Sequence, residues 1–132
     1  MSELGAQRHH ARERALEILY EATMKDRPVA QIVGALALVP DPYTVQLVTA
    51  AEEQRTRAEA LISEFSLDWS LDRLAVIDRL IMTMAIAELL LEGAPPAAVV
   101  LDEAVELAKV YSTDGSASFV NGVLSACVTH LG

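Results

Sequence analysis

The sequence predicts an all-α protein of about six or seven helices, and three observations carry that reading. Apolar residues recur at spacings of three and four, and no segment alternates cleanly with period two. Capping and breaking residues fall between the periodic runs, at Asp41-Pro42, Ser70, Gly93-Ala94-Pro95-Pro96 and Asp114-Gly115. Hydrophobic residues make up 52% of the 132 positions, which suits one domain with a real core and excludes a mostly disordered chain.

The first helix is expected from about residue 7 to about residue 24. Ala11, Ala15, Ile18 and Ala22 form its apolar row, widened by Leu16, Leu19 and Tyr20. Pro28 opens a short second helix with Val29, Ile32, Val33 and Leu36. Asp41 as N-cap and Pro42 at the first helical position start a third. That helix is read as continuous from Tyr43 to Phe65, with a solvated polar middle over residues 52–57. Residues 66–70 separate two helical groups, with Trp69 as a packing anchor between them. Ser70 is the expected N-cap of a fourth helix from Leu71, whose core row is Leu74, Ile77, Ile81 and Met84. Val99 to Leu101 could be mistaken for a strand, but Val100, Ala104, Leu107 and Tyr111 keep helical spacing. The last helix follows a turn at residues 112–116 and buries Phe119, Val120, Val123, Leu124 and Cys127. Gly122 costs about 1 kcal/mol against Ala in mid-helix. Close approach of a neighbouring helix is the expected compensation.

Composition excludes more chemistry than it offers. The apolar stretch at 80–91 is interrupted by Thr83 and Glu88, and a membrane span needs about 20 apolar residues. Residues 1–10 hold no apolar run, so a secretory signal is not expected. The single cysteine, Cys127, cannot form an internal disulfide and reads as a core residue of a cytoplasmic protein. There is no phosphate-cradling loop and no dinucleotide fingerprint. Adjacent His9 and His10 diverge by about 100° on a helix and are poor joint metal ligands. No cofactor, metal or catalytic group is expected.

The net charge of −9 argues against nucleic acid, because such a body repels phosphate. Its distribution softens the objection. Within residues 1–27, Arg8, Arg12, Arg14, Lys25 and Arg27 balance Glu3, Glu13, Glu17, Glu21 and Asp26. Arg8 and Arg12 share a helix face. A basic helix start on an acidic protein results. Positive charge at a helix N-terminus opposes the macrodipole, which suggests another purpose for it. Three arginines each neutralising one phosphate give a salt slope of about −2 on single strands, modest enough to require a partner.

Three runs in this order resemble the NusB family of bacterial transcription antitermination factors. The first is Arg8-His9-His10-Ala11-Arg12-Glu13-Arg14-Ala15, continuing to Leu19-Tyr20-Glu21. The second is Trp69-Ser70-Leu71-Asp72-Arg73-Leu74 with Asp78-Arg79, Ile81 and Glu88-Leu89. The third pairs Asp102-Glu103-Ala104-Val105-Glu106-Leu107-Ala108-Lys109 with Phe119-Val120-Asn121-Gly122-Val123-Leu124. The resemblance spans almost the whole chain. It implies two packed helical bundles, at 1–66 and 67–132. It also implies a non-enzymatic factor that binds boxA RNA of ribosomal RNA leaders together with NusE, a small-subunit ribosomal protein, within an RNA polymerase antitermination complex.

Carried over by position, Arg8, His9, His10, Arg12 and Arg14 meet RNA, joined by Ser116 and Ser118 in a turn that lacks the lysine of some relatives. Glu88 is carried over as the NusE contact, since an acid in an apolar run needs a partner. Asp78 and Arg79 fit a structural pair as well as a contact. The resemblance leaves homodimerisation open. Two other readings stand beside it. One is a protein-binding helical module with lost or weak RNA binding. The other is the N-terminal NusB-like fragment of an RNA cytosine methyltransferase.

Overall fold

In the computed structural model of the chain, residues 2–67 and 70–132 are described, and among them there are seven α-helices and no strand. Trp69, the expected packing anchor, lies outside the described residues.

Helix α1 spans Glu3–Lys25 and so starts earlier than the apolar row alone predicts. The cause is a cap: the Ser2 side chain accepts from Gly5 N at 2.9 Å, with Glu3 in the first turn. Arg8 therefore lies in the second turn, where the macrodipole penalty has faded. The helix ends at Asp26, which takes the left-handed conformation with φ 51°. Helix α2 spans Val29–Gly34.

The expected long third helix is two. Helix α3 (Pro42–Glu53) and helix α4 (Arg55–Phe65) meet at Gln54, with φ −95° and ψ 5°. The polar stretch explains the break: buried side chains stop at Ala51 and resume at Ala58, so nothing apolar holds the inner face through the intervening turn. The cap of α3 is as expected, Asp41 Oδ1 accepting from Tyr43 N at 2.7 Å.

The fourth helix of the sequence reading is also corrected. Leu71–Arg73 is a short 3₁₀ turn, Ser70 makes no side-chain cap, and α5 begins only at Val76 and ends at Leu89. Leu74 precedes it in an extended conformation. From Ile81 to Glu88 every residue of α5 is buried. It is the central helix, packing on α1, α3, α4 and on two more, α6 (Ala97–Tyr111) and α7 (Ser116–Leu131). Ile81, Met82 and Ile86 are fully enclosed, each side chain contributing about 1.5–3 kcal/mol of apolar burial. Among the described residues no helix is long and apolar enough to cross a membrane.

Two glycines differ in what they do. Gly115 holds φ at +87° ahead of α7, a conformation that L side chains rarely adopt. Gly122 faces open space: a Cβ there meets nothing within 4 Å, so the expected close helix approach is absent. Gly122→Ala is expected to raise stability by about 0.5–1 kcal/mol. Urea unfolding measures this, and a loss of stability would show that the surface is not open.

Candidate nucleic-acid interface

Arg12 falls in the inward row of α1 with Ala11, Ala15 and Leu19, and it is only 3% exposed. Its Nε donates to both carboxylate oxygens of Glu88, at 3.0 and 3.1 Å, and its Nη2 donates to Glu88 Oε2 at 2.7 Å. Glu88 sits on the central helix at 1% exposure and also accepts from the Tyr43 hydroxyl. Arg12 Nη1 lies 3.9 Å from Glu103 Oε1 on α6. One guanidinium thus ties α1 to α5 and α6, and through Glu88 to α3.

This geometry corrects two expectations. Arg12 is not presented to RNA and Glu88 is not presented to a protein partner, because each is spent on the other inside the core. A forked, charge-assisted pair offsets the desolvation that would otherwise expel both groups. Burial pulls the Arg12 pKa down, but the hydrogen bond and charge of Glu88 carry it above its ordinary value. Tyr43 is pushed up to about 12, first by burial and then by Glu88.

The other cations of this segment differ in how far they are committed. His9 Nδ1 lies 2.7 Å from Glu103 Oε2, and its Nε2 lies 3.6 Å from Glu13 Oε1. Exposed His10 sits 3.0 Å from Glu13 Oε1. Exposed Arg14 is loosely paired with Glu17 at 3.4 Å. Arg8, half-buried, has no carboxylate partner among the described residues. Its guanidinium carbon instead stands 4.0 Å from the centroid of the Tyr43 ring. Arg8 and Arg14 are about 9 Å apart along α1 and about 120° apart around it, so they do not share a face.

The two serines also separate. Ser116 is buried and donates to Asp78 Oδ2 at 2.9 Å, while Ser112 donates to Asp78 Oδ1 at 2.6 Å. Ser116 therefore pins the turn before α7 and does not face a ligand, whereas Ser118 is exposed. Asp78 pairs with these hydroxyls and not with Arg79. The Cys127 thiol is pushed up to about 11 by burial and by Glu64, which keeps it protonated and inert.

A second feature lies further along α1, past Glu13. Tyr20, Met24, Ile77 and Tyr111 line an open groove of about 510 Å³ whose rim carries Glu17, Glu21 and Lys25, with Lys25 paired to Glu21 at 3.0 Å. Tyr20, Met24 and Tyr111 are exposed. The sequence reading missed this groove, and it missed Tyr43 and Glu103 as partners of the cations. One signal was present: Arg12 keeps the spacing of the apolar row, which marks an inward side chain.

His9 supplies a pH dependence. The hydrogen bond to Glu103 raises its pKa from 6.5 against opposing burial, the charges of Glu103 and Glu13 add to the rise, and Arg12 opposes it. A raised folded-state value means that protonated His9 stabilises the fold fully below pH 6.5, a contribution lost as pH climbs through the raised value. Thermal unfolding between about pH 5.5 and about pH 8 should therefore show a smaller decline for His9→Gln than for the parent chain. Equal slopes would contradict the pairing with Glu103.

A central buried helix, a first helix carrying an arginine with no carboxylate partner, and an open apolar groove define a small all-helical protein with two candidate binding surfaces. The model of the NusB family matches residues 9–129. The chain is similar to the transcription antitermination protein NusB of Thermobifida fusca (strain YX), 42% identical over 89% of this chain and 86% of that protein. Its fold is similar to T. maritima NusB, with TM-score 0.83 and 32% identity over 92% of this chain and 90% of that one. It also resembles an antitermination factor NusB solved with NusE and double-stranded RNA, with TM-score 0.80 and 25% identity over 95% and 98% of the two chains. The chain belongs to the NusB family.

Proposed function

We propose that this chain is a cytoplasmic transcription antitermination factor that acts by binding. It takes up boxA RNA of ribosomal RNA leaders together with NusE and carries both into the RNA polymerase antitermination complex. The observation that carries this reading is Arg8, a half-buried cation held on a ring with no carboxylate to neutralise it. Similarity to a NusB solved with NusE and RNA supports the choice of partners.

The RNA surface is then narrower than the sequence implies. Arg8, His10, Arg14 and Ser118 are its outward groups, His9 is shared with Glu103, and Arg12 and Ser116 support it from beneath. The apolar groove of Tyr20, Met24 and Tyr111 replaces Glu88 as the seat of NusE. Its apolar floor, with Glu17 and Glu21 against Lys25 on the rim, suits a ribosomal protein that brings apolar contacts and a modest positive charge. We read the halves at 1–66 and 67–132 as one working unit, since Tyr20 and Met24 come from the first and Tyr111 and Ser118 from the second.

Carboxylate pairing of His9, His10, Arg12 and Arg14 favours one competing reading, a protein-binding module with lost RNA binding. Similarity to relatives named as transcription antitermination proteins, 42% identical for that of T. fusca, supports the factor over a methyltransferase fragment. Arg8→Ala and Arg14→Ala separate the first two. Arg14 is exposed, so Tm should hold for Arg14→Ala, and Arg8→Ala should lower it only slightly, by the loss of one cation–π contact. RNA affinity with NusE present should fall about two- to tenfold for Arg8→Ala, the worth of one charge-assisted contact, and less for Arg14→Ala. No fall in either variant, with NusE still bound, supports the protein-binding module.

A further inference from the structure

We infer that Tyr43 is a positioning residue for RNA binding, holding Arg8 ready through a ring that the buried Arg12–Glu88 pair locks in place. The inference rests on the RNA-binding reading given above. Tyr43 is fixed at both ends. Its backbone N–H is bound by the Asp41 cap at 2.7 Å, and its hydroxyl donates to Glu88. Glu88 in turn cannot swing, because Arg12 grips both of its oxygens. The ring is left with one place to be, and Arg8 stands 4.0 Å from its centroid.

The kind of contact matters. A carboxylate partner would occupy the N–H donors along the edge of the guanidinium and cancel its charge. A ring engages the face of the guanidinium and leaves the edge donors and the charge available. Glu13, Glu17, Glu88 and Glu103 each pair with another cation of the segment, and none pairs with Arg8. Tyr43 therefore orders Arg8 without neutralising it, which is what a phosphate-binding arginine needs on an acidic protein. Arg12 acts on RNA at a distance, through Glu88 and Tyr43.

The test is RNA affinity by fluorescence anisotropy, using a single-stranded RNA that carries boxA, with NusE present, for Tyr43→Leu, Tyr43→Phe, Arg8→Ala and the double variant Arg8→Ala/Tyr43→Leu. Tyr43→Leu should bind about two- to fivefold more weakly, the worth of one exposed cation–π contact. Tyr43→Phe keeps the ring but frees it from Glu88, so its affinity should fall between those of the parent and Tyr43→Leu while its Tm falls. The double variant should bind no worse than Arg8→Ala, a result that general destabilisation would not give. Additive losses in the double variant, or parent affinity in Tyr43→Leu, overturn the inference. If Tyr43→Leu does not fold, Arg8→Lys carries the test. It is compared in the parent and in the Tyr43→Phe background: a smaller loss from Arg8→Lys once the ring is freed from Glu88 supports the inference, and equal losses in the two backgrounds overturn it. A parent chain that binds no RNA refutes the RNA-binding reading itself, and this inference with it.

Discussion

Glu88→Leu lowers stability by about 3–5 kcal/mol, the cost of leaving one charge of a buried pair without its partner. In a chain of this size that is a fall in Tm on the order of 10 °C or more. Leucine fits the apolar surroundings on α5, so the loss comes from Arg12, whose guanidinium remains buried with only Glu103 at 3.9 Å. Tyr43 loses its acceptor as well. Arg12→Leu/Glu88→Leu should recover part of the loss, because removing both charges removes the desolvation problem that either single change exposes. Thermal unfolding of the three variants measures this. A change below about 1 kcal/mol in Glu88→Leu is the behaviour of a surface pair and would contradict the buried one.

Met24→Arg is the second large effect. Met24 is 51% exposed, so the fold should tolerate the change and Tm should hold. An added cation in the apolar groove removes apolar contact and meets the partner's modest positive charge with like charge. NusE affinity should fall at least about tenfold, which is 1.4 kcal/mol or more. Calorimetric titration reads it directly. Unchanged affinity would place the NusE seat elsewhere on the chain.

The helices were legible because their signals are local. Asp41-Pro42 and the rows of α1, α5, α6 and α7 follow from caps and periodicity, which the sequence states outright. Two boundaries were not legible. The break at Gln54 depends on an inner face that has nothing apolar to pack between Ala51 and Ala58. The delayed start of α5 puts a 3₁₀ turn where Ser70 looked like a cap. Among site residues, Arg8 and Arg14 were placed on α1 from spacing alone. Arg12 and Glu88 are 76 residues apart, and nothing local tells an arginine that meets RNA from one that meets a glutamate in the core. Both were read as surface groups for the same reason, that a charge is assumed to face water until a partner is found for it. Ser116 misled in the same way, since its partner Asp78 is 38 residues away.

Burial of Arg12 also sharpens the expected electrostatics. With Arg8 and Arg14 as the arginines able to reach phosphate, the salt slope of the chain alone on single-stranded RNA is about −1.4 or shallower, less steep than the −2 that three arginines give. The measurement that bears most directly on the account is therefore affinity for boxA RNA across a salt series, with and without NusE. Binding that is weak and shallow in slope alone, and at least about tenfold tighter and steeper with NusE, is the predicted result. A slope of about −2 or steeper without NusE, or no gain when NusE is added, would contradict it.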